Sequence, residues 1–529
     1  MPESATHEPA ASKQAALTPA QAALAQWSAV IPLSLVPVSG ANLPDGKVLL
    51  WSAEDRFQFG GNGRTYTTTF DPATGTATER LVTETHHDMF CPGTANLPDG
   101  RILVNGGLDA GTTSIFDPVA GTWTNGDTMN IERAYQGTTP LADGSVFTLG
   151  GSWNGGVGNK HGELWTEADG WRTLSGVKID PFLSVDTTRN FGMDSHFWLF
   201  AAGNGRIFHA GPGVEMHYID TQGNGSVTAV GPRGDDEFSI NGAAVMFDTG
   251  KILKTGGAPG YEGIQANSNS YVIELGTEVT VRKLQSMAYR RAFNNLVVLP
   301  NGQVVVLGGM TVAFGFSDAN SVLAPEIFDP VTETFTALPA MSVPRNYHSI
   351  GLLLADGRVL SAGGGLCGGG CAANHPDMQI LSPPYLFNPD GSPATRPVIM
   401  SAPTQAGYGT ELAVTTNSPV TSFALVRMSS TTHSVNNDQR RLSVSFTSLG
   451  SNNYAVDVPS NPGWAVPGLY MLFAMNAAGV PSVARIVRIG DEDLVSFVVD
   501  DQRTNLGDAV SLQLSPSNPG GADLTFDAE

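Results

Sequence analysis

The stretch Leu97-Pro98-Asp99-Gly100-Arg101-Ile102-Leu103-Val104 joins a turn signal to the start of a buried strand. Asp-Gly supplies the positive φ of a tight hairpin turn. The apolar run behind it reads as a strand covered on both faces. The same grammar returns at 43–50, 141–147, 203–208, 248–253, 299–305 and 354–360, often followed by a Gly-Gly pair that lets strands approach closely. Seven copies at a spacing of roughly 45 to 60 residues match the period of kelch-type blades. A single blade cannot bury its own faces, so closing copies into a ring is the stable solution. Phe70-Asp71-Pro72, Phe116-Asp117-Pro118 and Phe328-Asp329-Pro330 mark a further turn before outer strands.

The expected class is therefore all-β: a seven-bladed kelch-type β-propeller over residues 30–390, after an N-terminal extension, 1–29. Alternating runs such as Ser422-Phe423-Ala424-Leu425-Val426-Arg427 predict an Ig-like β-sandwich over 391–491. Residues 492–529 form an acidic tail that reads as the start of a truncated Ig-like module. Thr18-Pro19 predicts an N-cap and the first turn of a short helix over 18–28.

Composition narrows the function. With 28 basic and 49 acidic residues in 529, the net charge of −21 repels phosphate backbones and excludes nucleic acid as a partner. No apolar run is long enough to span a membrane. Residues 1–26 lack the apolar core of a signal peptide, so either an export signal has been removed or the protein is not exported by that route; a secreted or cell-surface location is the expectation. Cys367 and Cys371 flank a glycine spacer that allows a small disulfide ring, and Cys91 is left over.

The chemistry sits in loops beside the repeat strands. Arg345-Asn346-Tyr347-His348-Ser349 offers a phenol and an imidazole at a strand start, a pairing suited to copper(II). Four more stretches accompany it: His86-His87-Asp88-Met89-Phe90-Cys91-Pro92-Gly93, Glu132-Arg133-Ala134-Tyr135-Gln136-Gly137, Gly150-Gly151-Ser152-Trp153-Asn154-Gly155-Gly156 and Thr431-Thr432-His433-Ser434-Val435-Asn436. Together these five motifs resemble galactose oxidase, a copper radical oxidase, over about residues 30 to 490.

The resemblance implies a self-processed cofactor in which Tyr135 is bonded through its ring to the sulfur of Cys91 and holds a radical. It implies Trp153 stacked over that thioether, and Tyr347 as axial ligand and general base. His348 and His433 are implied as the equatorial nitrogen ligands, so copper is held by Tyr135, Tyr347, His348 and His433. Cys367 and Cys371 match the family's disulfide. Phe59 and Phe316 match aromatics of its substrate pocket. The family's sugar-binding Arg falls on Gly192, and its pocket Tyr-Gln pair on Tyr261 and Glu262, which implies weakened sugar binding. The implied reaction turns a primary alcohol, galactose or another, into an aldehyde while O2 becomes hydrogen peroxide. A monomer is expected, and the N-terminal carbohydrate-binding domain of fungal members is not seen. Two alternatives stay open: an aldehyde oxidase of the glyoxal oxidase type, and a non-catalytic propeller that binds glycans or proteins. Of the other histidines, His86, His87, His196 and His375 read as structural or exposed.

Overall fold

The computed structural model describes residues 16–490. The expected tail at 492–529 lies outside the described residues. Thr18 caps a single helical turn, Pro19–Ala22, with the reciprocal Thr18–Gln21 capping box. The helix does not run to 28: by Gln26–Trp27 the chain is already extended and paired with Leu381 and Ser382. Four residues are too few to propagate a helix without a partner face, and the free edge of a sheet takes the following residues instead.

Among the described residues, seven antiparallel sheets of four or five strands follow one another along the chain up to Ser382, with one small two-stranded sheet, Ile264–Gln265 with Val312–Ala313, beside them. The second is typical, with strands Gly93–Asn96, Ile102–Asn105, Thr113–Asp117 and Thr122–Asn125 in sequence order. Its register sets Ala95 opposite Leu103 and Leu103 opposite Ile115. The repeat turn works as the sequence implies. Leu97 N–H donates to Arg101 O at 2.8 Å, and Asp99 Oδ1 accepts from Arg101 N–H at 3.0 Å. The seven turn glycines, Gly46, Gly100, Gly144, Gly205, Gly250, Gly302 and Gly357, all have positive φ, between 68° and 94°.

The opening strands of the sheets are buried along their length; from the second sheet on they contact one another in succession, Ser430–Thr432 bridges the first to the second, and Ser349–Leu353 returns against Ser39–Asn42. Apolar side chains fill the space between sheets; Ala41, Leu49 and Trp51 of the first meet Ile102, Val104 and Phe116 of the second. Each such buried aliphatic or aromatic side chain contributes about 1.5–3 kcal/mol.

The Gly-Gly pairs have a role beyond close approach. Arg133, Arg291 and Arg345 are buried, and each donates to the carbonyl of the first glycine of a pair: Gly150 at 2.9 Å, Gly308 at 2.6 Å and Gly363 at 2.9 Å. Each also pairs with a carboxylate, Glu163, Glu326 and Asp377 respectively. Two residues further on in these loops come Tyr135, Phe293 and Tyr347. The repeat therefore anchors the loops that carry aromatic side chains to the middle of the molecule.

The C-terminal part is a two-sheet sandwich with a core of Leu412, Phe423, Leu425, Tyr454, Val456 and Leu472, among others. From it the segment 427–441 reaches into the sheets. Ser430–Thr432 pairs with Ser39–Ala41 and adds a fifth strand to the first sheet. Beyond that, polar side chains satisfy buried backbone groups of the inner strands. Asn437 bonds Thr138 O, Phe197 O and Leu199 N; Gln439 bonds Leu296 O and Val298 N; Asp438 accepts from Asn96 N.

Arg427 holds the base of this segment. It pairs with Asp438, donates to Val466 O and Pro467 O at 2.9 and 2.8 Å, and reaches Asn96 O at 2.8 Å. Arg427→Met strands the buried Asp438 carboxylate and should cost about 3–5 kcal/mol. Urea unfolding of the variant against the parent reads that loss directly.

Candidate metal and radical site

The motif residues converge at the tip of segment 427–441. His433 and Ser434 lie at its turn with φ of 50° and 67°, clamped by Thr432 N–H to Val435 O at 3.1 Å and the reverse bond at 2.8 Å. Cys91, Tyr135, His196, Phe316 and His348 also have positive φ. Left-handed backbone at residues other than glycine costs of order 1–3 kcal/mol each and gathers where surrounding structure enforces a functional geometry. Tyr347 and His348 sit just before the strand Ser349–Leu353, where the chain turns, so neighbours in sequence face the same way. Their rings stack at 3.7 Å.

The two imidazoles are set up as ligands. His348 donates through Nδ1 to Gly365 O at 2.5 Å, and its Nε2 is buried with no hydrogen-bond partner. His433 Nδ1 is engaged by Thr432 Oγ1 at 2.6 Å, and its Nε2 lies 3.2 Å from Cys91 Sγ. The carbonyl of Gly365 makes Nδ1 of His348 the N–H and leaves its Nε2 lone pair free, while the Thr432 hydroxyl orients the His433 ring. Burial pushes His348 down to about 3 and His433 well below its ordinary value, so both are neutral near pH 7. The His348 and His433 rings are 4.6 Å apart at 87°. Tyr135 and Tyr347 hydrogen-bond through their hydroxyls, and burial drives both phenols upward. Two buried phenols become phenolates only beside a strong positive charge, which a divalent metal ion supplies.

Cys91 is a fully buried free thiol, raised by burial, with the Tyr135 side chain in hydrogen-bond reach. Tyr135 N–H also donates to Cys91 O at 3.0 Å. Trp153 stacks on Tyr135 with ring centres 5.0 Å apart and planes 19° apart. Cys91 Sγ and the ring nitrogens of His348 and His433 lie within 4.8 Å of one another, so the sulfur is itself within reach of a metal. Cys367 and Cys371 form the disulfide, and the loop it closes follows Gly365, whose carbonyl orients His348.

The remaining predicted residues divide. Phe59 stacks on Phe316 at 5.8 Å, and Phe316 lies 5.1 Å from Tyr347 and is 37% exposed, so an aromatic wall borders the site. Tyr261 is more deeply placed than a pocket residue would be: its hydroxyl meets Tyr347 OH at 3.4 Å and His196 Nε2 at 3.2 Å. Gly192 is buried, and a Cβ there would fall 2.0 Å from Asp186 Oδ2. The position has no room for a side chain, and Gly192 contributes none to a substrate. Glu262 instead meets Arg189, which donates to Glu262 Oε2 from Nε at 2.7 Å.

Three residues beside the site were not singled out for it from sequence. His196, read as structural or exposed, is buried, and its ring lies 4.7 Å from Tyr135 and 5.3 Å from His433. Phe191, 5.9 Å from Tyr135 and 5.1 Å from Tyr261, belongs to the site too. Arg189, three residues before Gly192, was passed over. His87 and His375 are indeed held in structural contacts, with Ser114 and Gly106 and with Asp318.

The loop that delivers Cys91 carries a second buried acid. Burial raises Asp88 to about 8, against hydrogen bonds from the Glu54 and Phe90 backbones, and the nearby charges of Asp109 and Glu54 add to the rise. An unfolded Asp titrates near about 3.9, so the folded chain binds the extra proton between roughly pH 4 and 8 and stability falls as pH rises through that window. Asp88→Asn should flatten that decline in denaturant midpoints measured between pH 5 and 8.

A galactose oxidase from Gibberella zeae is 42% identical over 487 residues, covering 89% of this chain and 72% of its own length. The chain belongs to the galactose oxidase family. The galactose oxidase-like early set domain matches at residues 396–489, and the glyoxal oxidase N-terminus at 247–366. A solved structure described as a novel fungal alcohol oxidase with catalytic diversity among the AA5 family, in complex with copper, aligns with a TM-score of 0.85 at 41% identity. That alignment covers 88% of this chain and all of the other. The aldehyde oxidase GLOX of Vitis pseudoreticulata is 29% identical over 446 residues, 76% of this chain and 82% of its own. As a galactose oxidase family member the protein is an alcohol:oxygen oxidoreductase, and the all-β architecture is that of its relatives.

Proposed function

We propose that this chain is a copper radical oxidase of primary alcohols, with copper held by Tyr135, Tyr347, His348 and His433 and with Cys91 joined to Tyr135 as a thioether. The observation that carries this is the partnerless Nε2 of His348 beside two hydrogen-bonded phenols and a second imidazole, all buried. Two phenols and two imidazoles are a donor set that suits tetragonal copper(II). When bound, copper supplies one of the two oxidising equivalents that alcohol oxidation requires, and the modified Tyr135 supplies the other.

The chain's own residues supply the rest. Tyr347 accepts the substrate hydroxyl proton, and Tyr261 with His196 continues the hydrogen-bond path away from its oxygen. The Tyr135 phenoxyl would take a hydrogen atom from the carbinol carbon, and the second electron would pass to the bound copper so that the aldehyde could leave. Trp153 covers the Tyr135 ring and keeps water from it. Phe59 and Phe316 give the substrate body a flat apolar surface. Dioxygen is reduced to hydrogen peroxide. Seven sheets around segment 427–441 are read as blades of one ring over residues 30–390, with the sandwich at 391–491 delivering His433, and an extracellular, monomeric enzyme is the matching setting.

The test is peroxide release from copper-loaded protein over a panel of primary alcohols, with peroxide above the metal-free control expected for at least one. The match to the glyoxal oxidase N-terminus keeps a second reading, and peroxide from aldehydes but from no alcohol would favour it.

A further inference from the structure

Lys160 lies at the base of the loop that carries Trp153, and only 1% of it is exposed. A buried ammonium is unfavourable unless hydrogen bonds satisfy it. Here three backbone carbonyls do so, one for each N–H. Nζ donates to Asn154 O at 3.0 Å and Gly155 O at 2.8 Å, next to Trp153, and also to Glu132 O in the loop that carries Tyr135. One cation therefore joins the two loops whose rings stack.

The two loops are pressed together at this point. Gly155 has a φ of 69°, and a Cβ there would fall 2.4 Å from Glu132 Cβ. The root of the Trp153 loop is tied to the Tyr135 loop by Ala134 N–H donating to Gly151 O at 3.1 Å. Its other side is held by Asn154 Nδ2, which donates to Gly107 O and Leu108 O at 3.1 and 2.7 Å. Beyond Trp153, the ammonium makes the connection to residue 132. The charge matters to that connection, because a neutral amine has two N–H groups and leaves one carbonyl without a donor. Burial lowers Lys160 to about 8; Arg133 pushes it the same way, and Asp194 and Glu132 oppose the fall.

We propose that Lys160 is a positioning residue that holds Trp153 over Tyr135 and so sets how fast dissolved reductants reach the oxidised Tyr135. The first half stands on the geometry; the second rests on the oxidase reading above. With the ammonium in place the indole stays on the phenol ring and small one-electron donors are kept off it. Without it, residues 154 and 155 lose their hold on Glu132 and the indole swings clear more often. The clamp is complete below about pH 8 and weakens above.

The test uses Lys160→Met, which keeps the reach of the side chain and removes its donors, and Lys160→Gln, which keeps two donors without the charge. Hydrogen exchange of the metal-free proteins at pH 7, read by mass spectrometry, should be about tenfold or more faster at residues 151–156 in Lys160→Met, as loss of one charge-assisted hydrogen bond would give, and unchanged in the other sheets. Lys160→Gln should fall between it and the parent. In copper-loaded protein oxidised with ferricyanide, ascorbate should quench the Tyr135 radical absorption faster in Lys160→Met by a similar factor. Between pH 7 and 9 the parent's quenching rate should rise toward that of Lys160→Met, which stays level. Equal exchange in the parent and both variants overturns the clamp. Faster exchange with unchanged quenching, or a parent rate that does not change with pH, overturns its role at Tyr135. If ferricyanide produces no radical in the parent, the oxidase reading fails and the exchange comparison still decides the clamp.

Discussion

Cys91→Ser is expected to abolish alcohol oxidation while the protein remains folded. The thiol is fully buried, and serine fits the space without a change of backbone, so unfolding midpoints should move little. Without the sulfur, however, Tyr135 is an ordinary buried phenol. A thioether ortho to the oxygen enriches the ring and eases one-electron oxidation. Burial raises the phenol instead of easing its ionisation. We expect turnover to fall roughly a thousandfold or more, about 4 kcal/mol of barrier at 1.36 kcal/mol per decade. Peroxide release at matched copper content measures it. If Cys91 were a direct ligand beside His348 and His433, copper content would fall in this variant as well, and that outcome separates the two roles of the sulfur.

His433→Ala should lose copper. Loss of an outer partner of a ligand already costs about 10–100-fold in affinity, and removal of the ligand itself should exceed that. The fold should tolerate it, because Asn437, Asp438 and Gln439 anchor the segment independently of the imidazole. Gly at 433 accepts the φ of 50° without strain and serves as the control. Metal content after dialysis, with the copper(II) EPR signal, reads the loss. In the parent, metal binding must expel the protons of Tyr135 and Tyr347, so apparent affinity should climb with pH. His348, held near 3, competes for protons only in strong acid.

The sequence revealed most where local chemistry decides structure. Asp99-Gly100 and its counterparts need a positive φ wherever they stand, so the turns and the repeat could be read directly. Tyr347-His348 and Thr432-His433 could be read as candidate ligands because they stand within short motifs. What was missed depends on contacts between distant segments. His196 and Phe191 reach the centre through an irregular loop with no period. Gly192 is bare because Asp186, from elsewhere in that loop, occupies its side-chain space. Arg133, Arg291 and Arg345 were inside quoted or neighbouring motifs, yet only the folded sheets show that they bind glycine carbonyls two strands away. The helix at Pro19–Ala22 was overextended because a free sheet edge competes for Gln26 and Trp27. Segment 427–441 looks like a polar loop and is buried, because its amides complete the inner strands.

The most direct test is the intact mass of the protein before and after copper loading in air, with the Cys367–Cys371 disulfide intact throughout. The account predicts a loss of two hydrogens, a peptide joining Cys91 to Tyr135 after digestion, and no such change in Cys91→Ser. An unchanged mass with Cys91 still open to alkylation in protein that releases peroxide from an alcohol would contradict it.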